Sequence, residues 1–284
     1  MANPGLKRIV ERIQDLPTLP TVVTRILKLV HDPESNAADV QMILGRDQSL
    51  STKVMKLVNS AFYGYAGKIK TLHQAVVILG FDTIKSVALS ATVFTAFAGG
   101  RKNFDRDAFW RHSIATGVAA RLLARECRMK EIEESFMCGV IHDIGKVVLD
   151  QYAPGDFDRV LAYVQEKNCL IYEAERAVLG SSHAQVGRWL GMKWGLPAEI
   201  VDVIFYHHQP ANAQRAPKQT AVVHVADILA RTRKLGSGGD AKVPPLDPAA
   251  WEKLGLDEGR LKGILAVLPD EFAKADLFVQ MARG

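Results

Sequence analysis

Disulfide chemistry has little to work with here: the 284 residues contain three cysteines, Cys127, Cys138 and Cys169, an odd number without CxxC spacing. That suggests neither a disulfide framework nor a zinc knuckle, and it suits a reducing cytoplasm. Long apolar runs are also missing. The most apolar stretch, SVALSATVFTAFAGG, falls short of the roughly 20 residues a bilayer-spanning helix needs, so no membrane insertion is expected. The opening MANPGLKRIVERIQDL is amphipathic and lacks the apolar core and cleavage site of a signal peptide. Neither charge sign dominates in blocks. The 36 basic and 31 acidic residues are interspersed, so the net charge of +5 decides for neither nucleic acid nor an acidic partner. No segment alternates like a strand, and there is no internal repeat or low-complexity tract.

Helical periodicity is there in abundance, and with 48% apolar residues the chain can bury a core. In LPTLPTVVTRILKLVHDP, Val22, Val23, Ile26, Leu27 and Val30 form one stripe, and the helix should end before Pro33. Two short helices joined around Asp47 follow. Thr71 and Gln74 form a capping box ahead of a helix that stops at Gly80. An apolar helix should then run from Asp82 to about Phe97. The clearest boundary is AGGRKNFD, where that helix gives way to Gly-Gly and charges. An all-α fold of two packed helical lobes is expected, 1–98 and 99–235, with 236–284 as a flexible loop followed by two short helices.

Polar residues intrude on the apolar helices of the second lobe. In FMCGVIHDIGKVVL, read as one helical run, His142 and Lys146 share a face with Asp143 one step round, among Val140, Ile141, Ile144, Val147 and Val148. A buried His-Asp pair needs partners or a metal, and taken alone a hydrogen-bonded core network serves as well as a ligand set. His112, His183, His207, His208 and Asp227 are similar intruders. Imidazoles and carboxylates together suit Fe, Mn or Zn. Cys138 reads as a small core residue. Arg46, Lys53 and Lys56 permit a helix-turn-helix reading, but no base-reading cluster accompanies them, and a packed helical pair is preferred.

The order His112, His142-Asp143, His183, His207-His208, Asp227 resembles the metal-ligand order of the HD phosphohydrolase superfamily, nearest its binuclear HD-GYP branch, whose anchor is also HDIGK. The first lobe, through LPTLPTVVTRILKLVHDP, ILGRDQSLSTKVMKLVNSAFYG and IKTLHQAVVILGFDTIKSVAL, resembles the HDOD family, the HD-related output domains of bacterial signalling. Together the likeness covers about residues 14 to 232, and Asn59 to Gly64 is its most specific part.

This resemblance implies an all-α protein with an HD-like C-terminal bundle and a role in signalling output through a protein partner. By resemblance, His112, His142, Asp143 and Asp227 would hold one divalent ion, with Fe or Mn ahead of Zn. Asp143 would bridge to a second ion held by His183 and by His207 or His208, and Lys146 would face a phosphate. Many HDOD proteins are degenerate at this site, whereas this chain keeps the residues. Two features of the HD-GYP branch are absent: HHQPANAQRAP replaces its Gly-Tyr-Pro loop, and Ala108 stands where some members place a glutamate. Two readings follow. One is a non-catalytic output module with one or two structural ions. The other is a metal-dependent phosphohydrolase, with Asp143 and Lys146 catalytic and a nucleotide or other phosphate ester as ligand. A nucleic-acid regulator ranks below both.

Overall fold

The structure, a computed structural model, describes residues 4–13, 18–29, 36–99 and 103–283. The expected helix end between Val30 and Pro33, and residues 100–102 of the Gly-Gly boundary, lie outside them. In chain order the first helices are α1 (Pro4–Arg12), α2 (Thr21–Leu29), α3 (Ala37–Leu44), α4 (Gln48–Val58), α5 (Leu72–Leu79) and α6 (Phe81–Ala96). Then come α7 (Arg106–Glu126), α8 (Ile132–Ile141), α9 (Ile144–Tyr152), α10 (Pro154–Lys167), α11 (Ile171–Leu179), α12 (His183–Lys193), α13 (Ala198–Tyr206) and α14 (Pro217–Thr232). The last are α15 (Pro248–Leu254), α16 (Glu258–Lys274) and α17 (Asp276–Arg283). Among the described residues there is no strand, in accord with the all-α expectation.

Local chemistry sets most of the boundaries. Asn36, Asp47, Thr71 and Asp105 each accept a backbone N–H of the first turn that follows, satisfying donors the helix itself leaves open. At Thr71 only half of the expected box forms, because Gln74 accepts from Lys70 N–H, one residue early. Gly80, at φ +83°, separates α5 from α6.

Three expectations need correction. The run FMCGVIHDIGKVVL is not one helix: α8 ends at Ile141, His142 and Asp143 form a turn, and α9 restarts at Ile144. The break lets α9 leave α8 and cross α12 with the two backbones nearly touching. A Cβ on Gly145 would lie 2.0 Å from the His183 carbonyl oxygen. The C-terminal segment holds three helices rather than two, because α16 wraps back onto α7 and buries Ile264, Leu268 and Phe272. The stretch expected to be a flexible loop, after α14, is hydrogen-bonded to α7, α11 and α14.

The long helix α7 is the axis, packed by α8, α14, α16 and α17. Its crossing with α8 is a glycine-to-glycine contact, since a Cβ on Gly139 would lie 2.6 Å from Gly117 Cα. Asn59 pins the chain after α4, donating to Ile69 C=O at 2.8 Å and accepting from Ile69 N–H at 3.0 Å. The following Phe62 and Tyr63 are buried beside Phe136 of α8 and Phe278 of α17. The Arg121 guanidinium stacks 4.2 Å over Phe62 and pairs with Glu133 at 2.7 Å. Lys85 of α6 pairs with Glu134 at 2.8 Å. Thus α8 is gripped near its start by α6 and the Phe62 segment and at its end presents His142. Cys138 is a core residue. Lys53 donates to Thr95 of α6.

Candidate metal centre

Every predicted site residue comes to one place. His112 lies mid-way along α7, Asp227 mid-way along α14, His183 begins α12, and His207 and His208 follow the end of α13. His142 and Asp143 occupy the α8–α9 turn, and Lys146 lies one turn into α9. All are buried except His208, which is half-buried.

Asp143 is the centre. Its Oδ2 receives Lys146 Nζ at 2.5 Å and lies 3.3 Å from His142 Nε2 and 3.7 Å from His112 Nε2. Its Oδ1 lies 3.0 Å from His183 Nε2 and 3.6 Å from His207 Nε2, and His208 Nε2 is 2.9 Å from His183 Nε2. Two clusters with metal-ligand spacing therefore share one carboxylate: His112, His142 and Asp143, and Asp143, His183, His207 and His208. Asp227 lies beside the first cluster rather than in it. Its Oδ1 is 3.1 Å from His112 Nε2 and is bonded by Arg231 Nε at 2.8 Å.

Outer hydrogen bonds aim the imidazoles. Nδ1 of His142 donates to Gly139 C=O at 2.7 Å, Nδ1 of His207 to Ile204 C=O at 2.8 Å, and Nδ1 of His183 to Glu175 Oε2 at 2.6 Å. Each acceptor fixes the tautomer that leaves the inward Nε2 unprotonated, as a metal ligand must be. Glu175 and Arg231 were not singled out from the sequence. Glu175 had left a signal, because Ile171, Glu175 and Leu179 are successive i, i+4 positions on the buried stripe of α11.

Electrostatics favour neutral imidazoles at His207, His208 and His112, and the opposite at His183. Burial pushes His207 down to about 4 and, with the neighbouring His207 and His183, takes His208 well below the ordinary imidazole range. Burial also lowers His112, partly offset by Asp227. Burial opposes charge on His183 too, but Glu175 and then Asp143 outweigh it and raise its pKa. Burial would raise Asp143, yet His142, Lys146 and His183 hold it well below the usual carboxylate range. Arg231 and His112 do the same for Asp227.

The residues fit a cation. Asp143 Oδ1, His142 Nε2 and both ring nitrogens of His112 are buried without a hydrogen-bond partner in the structure. Buried polar atoms of that kind are costly unless something binds them. Convergent imidazoles around a shared carboxylate suit a transition metal. These buried His and Asp groups can hold a metal ion.

Fold and centre together define a helical HD-type bundle, and comparison with known proteins narrows the class. The HDOD domain pattern matches residues 16–210, so the chain belongs to the HDOD family. An HDOD domain protein of unknown function from Geobacter sulfurreducens is 26% identical, with a TM-score of 0.84 over 96% of this chain and 97% of that one. A protein of Marinobacter aquaeolei, provisionally named for signal transduction, shares the fold at TM-score 0.80 and 23% identity, over 99% of this chain and 65% of that one. A protein of Shewanella amazonensis, provisionally named a phosphohydrolase, shares it at 0.73 and 23%, over 99% and 98%. An uncharacterised protein of Treponema pallidum is 26% identical over 212 residues, 74% of this chain and 40% of its own length. Ribonuclease Y of Thermus thermophilus is 29% identical over 123 residues, 43% of this chain and 16% of that enzyme. The chain thus spans less than half the length of these two curated relatives. No helix among the described residues is long and apolar enough to cross a membrane.

Proposed function

We propose that this is a bacterial signal-transduction output protein of HDOD type whose second lobe, 99–235, is built around a metal centre that organises its helices. The observation that carries this reading is the burial of the ligand set. Side chains from α7, the α8–α9 turn, α12, the end of α13 and α14 converge with unpartnered nitrogen and oxygen atoms and almost no exposure. His112 and His142, with Asp227 beside them, would hold one ion. His183, His207 and His208 would hold a second, with Asp143 common to both. Fe or Mn is proposed over Zn, because the set is imidazole and carboxylate without thiolate. Such an ion would supply cross-links between helices that no hydrogen bond provides, and Lewis acidity toward a phosphoryl oxygen. The first lobe, 1–98, would present the surface for a signalling protein partner, and it is tied to the centre through α8. The free cysteines fit a cytoplasmic protein.

A second reading, a metal-dependent phosphohydrolase, is favoured by Lys146 at the shared carboxylate and by the half-exposed His208. The latter opens on a recess of about 230 Å³ walled by Tyr172, Arg176 and Arg231. Elemental analysis of protein purified without chelator tests both readings. Fe or Mn at one to two equivalents, lost in Asp143→Ala, is expected; a metal-free wild type would sink the centre. A phosphatase and phosphodiesterase screen on Mn- or Fe-loaded protein then separates module from enzyme. Turnover that vanishes in Asp143→Ala would establish the enzyme.

A further inference from the structure

The segment that leaves α14 does not run free; it returns across the centre. Leu235 N–H closes α14 on Ala230 C=O, and Ser237 N–H then bonds Ala108 C=O on α7 at 2.9 Å. Gly236, at φ +85°, lies so close to α7 that a Cβ would be 2.3 Å from both Ala108 O and His112 N. Gly238 rests on the charged groups of the site: a Cβ there would be 2.6 Å from an Arg231 terminal nitrogen and 3.2 Å from Lys146 Nζ. At Gly239 a Cβ would be 2.7 Å from Ile171 Cδ1. At Gly236 the obstacle is backbone, so only a residue without a Cβ fits there, and the glycines of this stretch are shaped to the surface. Asp240 then fastens the segment. Its buried carboxylate accepts from Arg231 Nη1 at 3.0 Å and from Ile171 N–H, at the start of α11, at 3.1 Å, while Arg231 also reaches Lys242 C=O at 3.1 Å.

We propose that residues 236–242 are an autoinhibitory strap that closes the centre to phosphorylated ligands, with Asp240 as its latch. This regulation rests on the metal-centre reading above. With the strap docked, the backbone at Gly238 lies over Lys146, the lysine paired with the shared carboxylate, and would bar a phosphate from it. The opening left at His208 is also walled by Asp240, Pro244 and Pro245. Its volume of about 230 Å³ lies below the roughly 300 Å³ at which ordinary ligand sites begin. Arg231 links the two functions, since the guanidinium held by Asp240 also holds Asp227 at the edge of the centre. Undocking the strap uncovers Lys146 and frees Arg231 together.

Diethylpyrocarbonate labelling, read by mass spectrometry on chelator-treated full-length protein, tests the strap without needing metal. His73, exposed on α5, is the internal reference. In the wild type, His112 and His142 should label at least about tenfold more slowly than His73, as local opening demands. Asp240→Asn, which removes the latch charge, and Gly236→Ala, which lifts the strap off α7, should each raise labelling at both histidines about tenfold while the helical circular dichroism is kept. On metal-loaded protein the same variants should release metal to chelator faster and bind inorganic phosphate more tightly. Within the wild type, the Ser237 amide should exchange hydrogen faster than core amides of α7, which tests the strap even where a variant fails to fold. The strap is overturned if folded variants protect His112 and His142 as the wild type does, or if Ser237 exchanges only with global unfolding. A metal-free wild type would overturn the centre but not the labelling result.

Discussion

Replacing Gly145 by alanine is the smallest change that should dismantle one side of the centre while leaving every ligand in the sequence. The added Cβ would sit 2.0 Å from the His183 carbonyl oxygen and 2.8 Å from both His183 C and Gly187 N. Carbon needs about 3.5 Å to sit comfortably against another heavy atom. α9 and α12 must therefore part by more than about 1 Å, and no rotamer can relieve the clash because the obstacle is backbone. His183 begins α12 and its Nε2 lies 3.0 Å from Asp143 Oδ1, so the separation falls on that pair. Metal–ligand distances tolerate only about 0.2 Å. Overpacking of this kind costs about 1–3 kcal/mol, or some 2–10 °C of melting temperature for a chain of this size. Elemental analysis and calorimetry, with and without chelator, are the assays. Gly145→Ala should lose most bound metal and most of the melting-temperature difference between metal-replete and chelated protein. Val147→Ala, a buried truncation on the same helix, should cost about 2 kcal/mol and keep its metal. Wild-type metal content and affinity in Gly145→Ala would refute the claim that this glycine sets the distance between Asp143 and His183.

Three further expectations follow from the geometry. Glu175→Gln keeps the shape beside His183 but not the charge that orients it, and should weaken metal binding about 10- to 100-fold in a chelator competition with the fold intact; unchanged affinity would make Glu175 merely structural. In chelated protein, His207 has a folded-state pKa of about 4 against an unfolded 6.5. Above pH 6.5 its contribution is complete. Between 6.5 and 4 the unfolded chain takes up a proton that the folded state refuses, and stability should fall by roughly 3 kcal/mol. Urea midpoints across that range should show the slope, and His207→Gln should flatten it. Arg121→Ala leaves the half-buried Glu133 without its guanidinium partner and should cost about 2 kcal/mol in denaturant titrations. Tyr63→Phe removes only a long 3.5 Å hydrogen bond and should cost under about 1 kcal/mol; equal losses in the two variants would contradict the dominance of the Arg121–Glu133 pair.

Much of this molecule could be read from residue order. Helical periodicity with Gly, Pro, Asn and Asp at intervals was enough for the all-α class, and the cap at Thr71 fell where the side chain required. Polar residues on apolar faces were enough to single out His112, His142, Asp143, Lys146, His183, His207, His208 and Asp227, because burying them unpaired is too costly to be incidental. Only tertiary structure could show that α8 and α9 are separate helices, since apolar periodicity runs unbroken through His142 and Asp143. Their turn lets α9 pass α12 at Gly145, a contact far away in sequence. Distance in space likewise decided which oxygen of Asp143 faces which histidines, that Glu175 aims His183, and that Arg231 holds Asp227. Local composition made GSGGDAKVPPLDP read as a flexible loop, but its glycines answer to atoms of α7, α9, α11 and α14, far away in sequence. Sequence pattern reports what each residue must avoid, water or an unpaired charge; the packed chain alone determines which partner relieves it.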